Sequence, residues 1–241
     1  METATRLVLP EERDYPAAIF RSDLPPDLRV GCGYAYFRTN RIARRLFRER
    51  VETAAAMLPR RPLRQALDAG TGAGFLLPTL AALGQRVVGI DLSPVIRYTR
   101  VMLSSRGIRN VTLHQADMLQ LPYATGAFDV IVCLSVIEHI SDLRRAFAEM
   151  DRVLARDGIL VLGYPLEHAI FRLLESAIRY ERRLRLAIAR QPQPRGAPWH
   201  PHTSRYEEIE AGVHHRFIET ERRTVSLVGL PVYRLLQLAP K

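Results

Sequence analysis

Residues 66–74 read Ala-Leu-Asp-Ala-Gly-Thr-Gly-Ala-Gly, a short apolar strand that ends in an acid and runs into a glycine-rich turn. Gly70, Gly72 and Gly74 stand at alternate positions of that turn. Glycine between a strand and a helix lets the backbone approach a ligand closely. The stretch therefore predicts an α/β fold that binds a nucleotide-type ligand at the carboxyl end of a strand.

Two acids decide which ligand the pattern favours: one stands before the turn, and the other ends the next strand. Asp91 ends the next apolar strand, where an acid can accept hydrogen bonds from two ribose hydroxyls. Asp68 stands just ahead of the turn, so its carboxylate repels a pyrophosphate and attracts a ligand that carries an ammonium and a sulfonium. The glycines are also spaced one residue more tightly than in the dinucleotide fingerprint. These features favour S-adenosylmethionine as the cofactor.

Further apolar segments continue the alternation of strands and helices. Asp117 and Met118 follow the third of them, where a carboxylate can accept a hydrogen bond from an adenine amino group. Ser135 follows the fourth, at the edge of the sheet that opens onto the ligand crevice. The predicted third, fourth and fifth strands cover 111–114, 128–134 and 159–162.

In this order the motifs resemble the class I S-adenosylmethionine-dependent methyltransferases, specifically the group with small-molecule and lipid acceptors that includes the quinone-biosynthesis enzymes. The resemblance covers about 62–165. It implies a doubly wound, Rossmann-like α/β fold with a seven-stranded, mostly parallel sheet and a helical cap. It also implies methyl transfer to an O, N or C atom of a small-molecule or lipid-linked acceptor. Family members often cover the cofactor with an N-terminal aromatic residue, for which Tyr34, Tyr36 and Phe37 are the candidates here.

The expected cofactor-binding residues lie at the ends of the first four strands. Each also has an ordinary structural role open to it: a tight turn, an acid that caps a helix, a polar loop residue or a core methionine. Ser135 is expected to line either the methionine end of the cofactor or the acceptor pocket. The set is Asp68, Gly70, Thr71, Gly72, Gly74, Asp91, Leu92, Asp117, Met118 and Ser135.

Glu138 and His139 form the candidate catalytic pair. His139 is the candidate general base that deprotonates an acceptor hydroxyl. An acid and a histidine here contribute to a divalent-metal site in some quinone O-methyltransferases, and a purely structural role stays open beside both. We predict no metal site from the sequence, because the histidines are scattered and Cys32 and Cys133 are far apart.

Charge and composition limit the partners. The 241 residues carry a formal net charge of +10, with Lys241 as the only lysine, and the stretch 111–143 contains no arginine or lysine. A solvated basic surface is the favoured interpretation, an anionic membrane surface is the second, and nucleic acid is disfavoured.

The chain has no run of 18 apolar residues and no secretory signal pattern, and its two cysteines indicate a reducing compartment. We expect a cytoplasmic protein, with a peripheral membrane contact as the alternative, and make no prediction of its oligomeric state.

The chain divides into four parts. Residues 1–60 are a lead-in with a cap helix over 37–58, and 61–165 are the cofactor-binding core, in which Ser141 is predicted to cap a helix. Residues 166–204 are a helical and loop cap, with a long amphipathic helix over 167–190 and a candidate lid over 191–204. Residues 205–241 supply a last helix and two closing strands of the same domain.

Two rival functions stay open. The first is an RNA methyltransferase that uses the arginine-rich flanks, although 134–137 lacks the box typical of enzymes that methylate base amino groups. The second is a nucleotide-binding oxidoreductase or a non-catalytic binding module on the same fold. A comparison of S-adenosylmethionine binding with NADH binding would distinguish the oxidoreductase from a methyltransferase. RNA that co-purifies with the protein would indicate the RNA methyltransferase.

Overall fold

The computed structural model describes residues 7–20, 34–37, 41–166 and 202–241. The helices in these ranges are α1 Tyr34–Phe37, α2 Arg41–Ala56, α3 Leu77–Leu83, α4 Ile96–Ser105, α5 Leu143–Val153 and α6 Tyr206–Arg216. The strands are β1 Leu63–Ala69, β2 Gly84–Asp91, β3 Val111–Gln115, β4 Phe128–Leu134, β5 Leu154–Pro165, β6 Phe217–Leu227 and β7 Leu230–Pro240. Short 3-10 segments lie at Glu12–Asp14, Ala17–Phe20 and Ile137–His139.

Across the described ranges the strands form one seven-stranded sheet in the order β3-β2-β1-β4-β5-β7-β6. Strands β1 to β5 are parallel, whereas β7 is antiparallel to both β5 and β6. The direction of winding reverses between β1 and β4. Ligands of such sheets bind outside the carboxyl ends of the strands at this switch point. The predicted doubly wound, mostly parallel sheet is confirmed.

The central strands are buried because helices cover both faces of the sheet. β4 is buried from Phe128 to Cys133, as its near-continuous apolar run predicts. One core cluster joins the sheet to α2 and α3, and the other joins it to α5 and α6. Burial of both faces fixes the strand ends relative to one another, and the site residues stand at those ends.

The N-terminal segment 7–20 is irregular, as predicted, but it belongs to the core. Tyr15, Ile19 and Phe20 are buried. The Thr79 hydroxyl accepts a hydrogen bond from the Val8 amide at 3.0 Å and donates one to the Val8 carbonyl at 2.8 Å. The segment therefore covers α3, the helix that follows the glycine turn.

Two local predictions differ from the structure. The helix predicted over 37–58 is found as α1 and α2, and residues 38–40 between them lie outside the described part of the chain. The cap of α5 is Asp142 and not Ser141, because the Asp142 carboxylate accepts the Arg145 amide proton at 3.0 Å. A carboxylate at this position also offsets the partial positive charge of the helix N-terminus.

The predicted helix over 167–190 and most of the candidate lid lie outside the described residues. The next described residue is His202, four residues before α6. Within the described ranges, no helix combines the length and the apolar character that crossing a membrane requires.

Candidate functional site

The glycine turn is tied to the neighbouring strand by its backbone. The amides of Gly70 and Thr71 both donate to the Ile90 carbonyl at 2.8 Å, which holds the turn against the end of β2. A Cβ at Gly70 would lie 2.2 Å from Cγ2 of Val136, so only glycine fits there. Positive φ angles of 79°, 51° and 75° occur at Gly70, Gly72 and Gly74.

Asp91 ends β2 with both carboxylate oxygens held by backbone amides. Oδ2 accepts from Gly72 N at 2.8 Å, and Oδ1 accepts from Ser93 N at 2.7 Å. Burial raises the pKa of Asp91, and these two hydrogen bonds act in the opposite direction. The carboxylate therefore has a fixed orientation beside the turn, and each oxygen keeps a lone pair that can accept from a ligand.

Asp68 is buried near the end of β1, and its carboxylate contacts the turn. The Thr71 hydroxyl donates to its Oδ2 at 2.6 Å. Burial raises the pKa of Asp68 to about 6; the Thr71 hydrogen bond lowers it and the charge of Asp91 raises it. Asp68 is aligned with Gly89 of β2 in the sheet, so the two predicted acids lie at adjacent strand ends.

The predicted adenine-binding residues follow β2 and β3. Asp117 Oδ1 accepts the Leu119 amide proton at 2.9 Å, and Met118 is buried. Leu92 is 59% exposed although it is a large apolar residue, and its carbonyl accepts from the Gln115 side chain at 2.7 Å. The structure thus places Leu92, Asp117 and Met118 along one edge of the sheet, next to Asp91.

Aromatic side chains close one side of the glycine turn. The Tyr15 hydroxyl donates to the carbonyl of Ala73 within the turn at 2.7 Å. The ring of Tyr36 stacks on that of Phe75, with the ring centroids 3.5 Å apart, and also contacts Phe47 at 5.3 Å. Tyr36 is therefore placed beside the turn, where an aromatic covering residue is expected.

Ser135 follows β4 in a conformation that is uncommon for a residue other than glycine. Its φ is 56°, and its amide donates to the Gly163 carbonyl at 2.8 Å. Its hydroxyl lies 2.8 Å from Nη1 of Arg50 and 2.9 Å from the Tyr233 hydroxyl. The structure thus adds a buried tyrosine and a half-buried arginine to the predicted Ser135 position.

Glu138 and His139 are joined by a residue from a distant part of the chain. One ligating atom each from Glu138, His139 and His202 lie within 4.8 Å of one another, and the two histidine ring centroids are 4.9 Å apart. The amides of Thr203 and Ser204 donate to the Glu138 carbonyl at 2.8 and 3.2 Å, which fixes this approach. An imidazole beside a carboxylate can accept a proton, and the three groups also have the composition of a divalent-metal site.

The sequence did not indicate Tyr233, and it placed Arg50 on the polar face of its helix. It indicated His202 only as part of the candidate lid over 191–204. A signal for Arg50 does exist, because it stands four residues from both Leu46 and Ala54 of the apolar stripe. Tyr233 carries no such signal, and nothing local relates either Tyr233 or His202 to the ends of the central strands.

A separate cavity of about 360 Å³ contains none of the predicted site residues. It lies against β2 and β3, with two arginines in its wall. Its lining is Gln65, Arg86, Val87, Val88, Arg109, Asn110, Thr112, His114 and Tyr123. The candidate site is instead the crevice at the strand ends, where the glycine turn lies between Asp91 and the residues that follow β4.

Comparisons with known proteins identify the class. Residues 67–162 match the family described as the methyltransferase domain. The chain is 31% identical over 122 residues to an uncharacterized methyltransferase of Bacillus subtilis. The aligned stretch covers 49% of this chain and 47% of that protein. It is 35% identical over 122 residues to the demethylmenaquinone methyltransferase of Thermus thermophilus, 49% and 53% of the two chains. It spans about half the length of these relatives.

The fold is shared with solved structures over most of the chain. The N-methyltransferase NodS of Bradyrhizobium japonicum in complex with S-adenosyl-L-homocysteine has a TM-score of 0.62, at 19% identity, over 95% of this chain and 99% of that one. Fold, turn and matched domain together define a Rossmann-like methyltransferase domain. Residues 67–162 carry the methyltransferase domain of the class I S-adenosylmethionine-dependent methyltransferases. The predicted family and its cofactor, S-adenosylmethionine, are confirmed.

Proposed function

We propose that the protein transfers a methyl group from S-adenosylmethionine to a small-molecule acceptor in the crevice at the switch point. The observation that carries this proposal is the Asp91 carboxylate, which Gly72 N and Ser93 N hold in a fixed orientation beside the glycine turn. A carboxylate with lone pairs to spare at that point suits the two neighbouring hydroxyls of a ribose.

The residues around the turn fit the remaining groups of the cofactor. The buried Asp68 offers a negative charge to the ammonium and sulfonium groups, and Leu92, 59% exposed, offers an apolar surface to the adenine. Asp117 and Met118 would contact the adenine from the end of β3, and Ser135 stands at the opposite end of the crevice. Each of these assignments is part of the proposal.

When bound, S-adenosylmethionine supplies a methyl group whose bond to sulfur breaks, with its electron pair kept by sulfur, as a lone pair of the acceptor forms the new bond. The chain has to hold donor and acceptor in line and to exclude water. Tyr36 and Phe75 form an apolar wall beside the turn. His139, with Glu138 beside it, is proposed to accept the proton that an acceptor hydroxyl loses.

Relatives support the acceptor class without naming the acceptor. A malonyl-[acyl-carrier protein] O-methyltransferase of Legionella pneumophila is 39% identical over 101 residues, and the Thermus relative is a demethylmenaquinone methyltransferase. These names favour an acceptor that is a small molecule or is attached to a lipid or carrier. We propose the same class for this chain.

Calorimetric titration of the full chain with S-adenosylmethionine, S-adenosylhomocysteine and NADH tests the proposal. We expect binding of the first two ligands and none of NADH, and methyl incorporation from labelled donor into a small-molecule fraction. NADH binding without S-adenosylmethionine binding would favour an oxidoreductase. Incorporation into RNA, with a steep salt dependence, would favour the nucleic-acid alternative.

A further inference from the structure

Arg50 occupies an unusual position for an arginine of α2. It lies on the face of the helix that packs towards the core, one residue before the buried Val51 and one turn before the buried Ala54. Neighbouring arginines of the same helix point outward; Arg48, for example, is 67% exposed and pairs with Glu52 at 2.7 Å. A charged group on the inward face is costly to bury unless it has a function or a partner.

Within the described ranges, the contacts of the Arg50 guanidinium are with a hydroxyl and two aromatic rings. It donates a hydrogen bond to Ser135 Oγ at 2.8 Å, and its central carbon lies 4.1 Å from the Phe47 ring centroid and 4.8 Å from that of Tyr233. Among the described residues no acidic group pairs with it within 4.0 Å. Two aromatic rings and a hydroxyl therefore fix the guanidinium while leaving most of its five N–H donors unused.

The surroundings of Ser135 give the cluster a rigid base. Ser135 has a φ of 56°, and its hydroxyl is shared between Arg50 and the Tyr233 hydroxyl. Tyr233 is buried, and its ring lies against Gly163, where an added Cβ would come within 2.7 Å of the tyrosine hydroxyl. A side chain held this firmly presents its free donors in a fixed direction, and bidentate recognition of a planar anion requires such a fixed fork.

The position of the cluster in the sheet assigns it to the acceptor side. The groups proposed for the cofactor stand on β1, β2 and β3, whereas Ser135 follows β4 and Tyr233 belongs to β7, on the other side of β1 from β2. Ser135 is nonetheless close to the turn, because the next residue, Val136, fills the space beside Gly70. Arg50 is thus at the far end of the crevice from Asp91.

We propose that Arg50 binds a carboxylate group of the acceptor, so that the substrate of this enzyme is an organic anion. The inference rests on the proposed methyl transfer and adds the chemical class of the molecule that receives the methyl group. Arg50 is an acceptor-binding residue, positioned by Phe47, Ser135 and Tyr233. The source of the carboxylate could instead be the methionine part of the cofactor, and the experiment separates the two.

The test uses the full chain with Arg50→Gln and Arg50→Lys, and with Arg48→Gln as the matched control. Arg48→Gln removes the same charge from the same helix but touches neither Ser135 nor Tyr233. The first arm is calorimetric titration with S-adenosylhomocysteine, which also reports folding of each variant. The second arm is incorporation of label from methyl-labelled S-adenosylmethionine into a bacterial metabolite extract, divided by anion exchange at neutral pH into bound (anionic) and unbound fractions.

We expect label in the anionic fraction, and a loss of roughly 10- to 100-fold in Arg50→Gln, the size of effect that a charge-assisted hydrogen-bonded pair supports. Arg50→Lys retains the charge without the fork and should fall in between, while Arg48→Gln and all affinities for S-adenosylhomocysteine stay within about twofold. Label confined to the unbound fraction overturns the proposal. So does a selective loss of S-adenosylhomocysteine affinity in Arg50→Gln, which would assign the arginine to the cofactor. If wild-type protein binds S-adenosylhomocysteine but labels neither fraction, the proposed function itself fails, and the acceptor assignment falls with it.

Discussion

The backbone amide of Gly72 donates to Oδ2 of Asp91 at 2.8 Å, so the glycine turn after β1 and the acid at the end of β2 form one rigid unit. The conformation of the turn and the direction of the carboxylate are therefore coupled. A substitution at Gly72 or at Asp91 should therefore disturb the contacts that both the turn and the carboxylate make with the nucleoside.

Asp91→Ala should weaken the binding of S-adenosylhomocysteine by about 1–3 kcal/mol, the scale of charge-assisted hydrogen bonds to two hydroxyls. The measurement is isothermal titration calorimetry at constant pH. Asp157→Ala is the control, because Asp157 has a 75% exposed side chain at the far end of β5. An unchanged affinity in Asp91→Ala would remove the ribose assignment.

Binding of S-adenosylmethionine should strengthen as the pH rises through about 6, because burial raises the pKa of Asp68 to that value. The protonated form predominates below this pH and offers no charge to the cofactor, so binding there must release a proton. The same raised pKa means that the free protein becomes less stable as the pH rises from about 4 to about 6. Over this range the native state still holds a proton that the unfolded state has already lost. Calorimetry in two buffers of different ionisation enthalpy measures the proton release. Asp68→Asn should bind more weakly at pH 7.5 and show no proton release near pH 6.

Gly70→Ala should abolish cofactor binding, because its Cβ would lie 2.2 Å from Val136 Cγ2 in addition to straining a φ of 79°. Gly107→Ala is the matched control for strain alone: its φ is 65° and nothing lies within 4 Å of an added Cβ. Both substitutions should cost about 1–2 kcal/mol of unfolding free energy for the backbone conformation. Only Gly70→Ala should lose affinity, and Val136→Ala should restore part of it. Equal affinity losses in the two glycine variants would contradict this steric explanation.

His139→Ala should lower the turnover rate by about 10²-fold or more and leave the affinity for S-adenosylhomocysteine unchanged, because a general base acts on the acceptor only. Steady-state rates between pH 6 and 9 are the measurement. His215→Ala is the control on an exposed histidine of α6. Near-normal turnover of folded His139→Ala at every pH would leave this histidine a structural role.

The outer face of α2 should bind anionic vesicles weakly, as expected if the acceptor is lipid-linked. Its exposed residues include Arg41, Arg44 and Arg45, and Ile42 is 54% exposed among them. Arginines near an anionic surface contribute about 1 kcal/mol each at low salt and less as the salt concentration rises. Co-sedimentation with anionic and neutral vesicles at low and physiological salt checks this. If anionic vesicles bind nothing even at low salt, a freely diffusing acceptor is favoured.

The sheet and the approach of Asp91 to the glycine turn could be predicted because their signals are local. The turn at 70–74 and the strand that ends at Asp91 are close in sequence, and parallel strands bring their carboxyl ends to one edge. Burial of β4 on both faces was also predictable, since its apolar run is nearly unbroken.

The proposed acceptor side could not be predicted, because long-range contacts form it. Arg50 and Ser135 are 85 residues apart in the chain, and Ser135 and Tyr233 are 98 apart. His202 reaches Glu138 and His139 through the hydrogen bonds of the two residues that follow it. Periodicity indicates that a helix has a buried face, but it does not indicate which distant side chain that face meets.

The antiparallel placement of β7 between β5 and β6 has a consequence for synthesis on the ribosome. Until Leu230–Pro240 has left the exit tunnel, β5 presents an unpaired edge and β6 has no neighbour to join. The glycine turn and Asp91 are complete long before that moment, whereas Tyr233 arrives with the closing strand. A nascent chain should thus form the proposed nucleoside-binding half of the site before the proposed acceptor half, with a shielding requirement for the open edge of β5 in between.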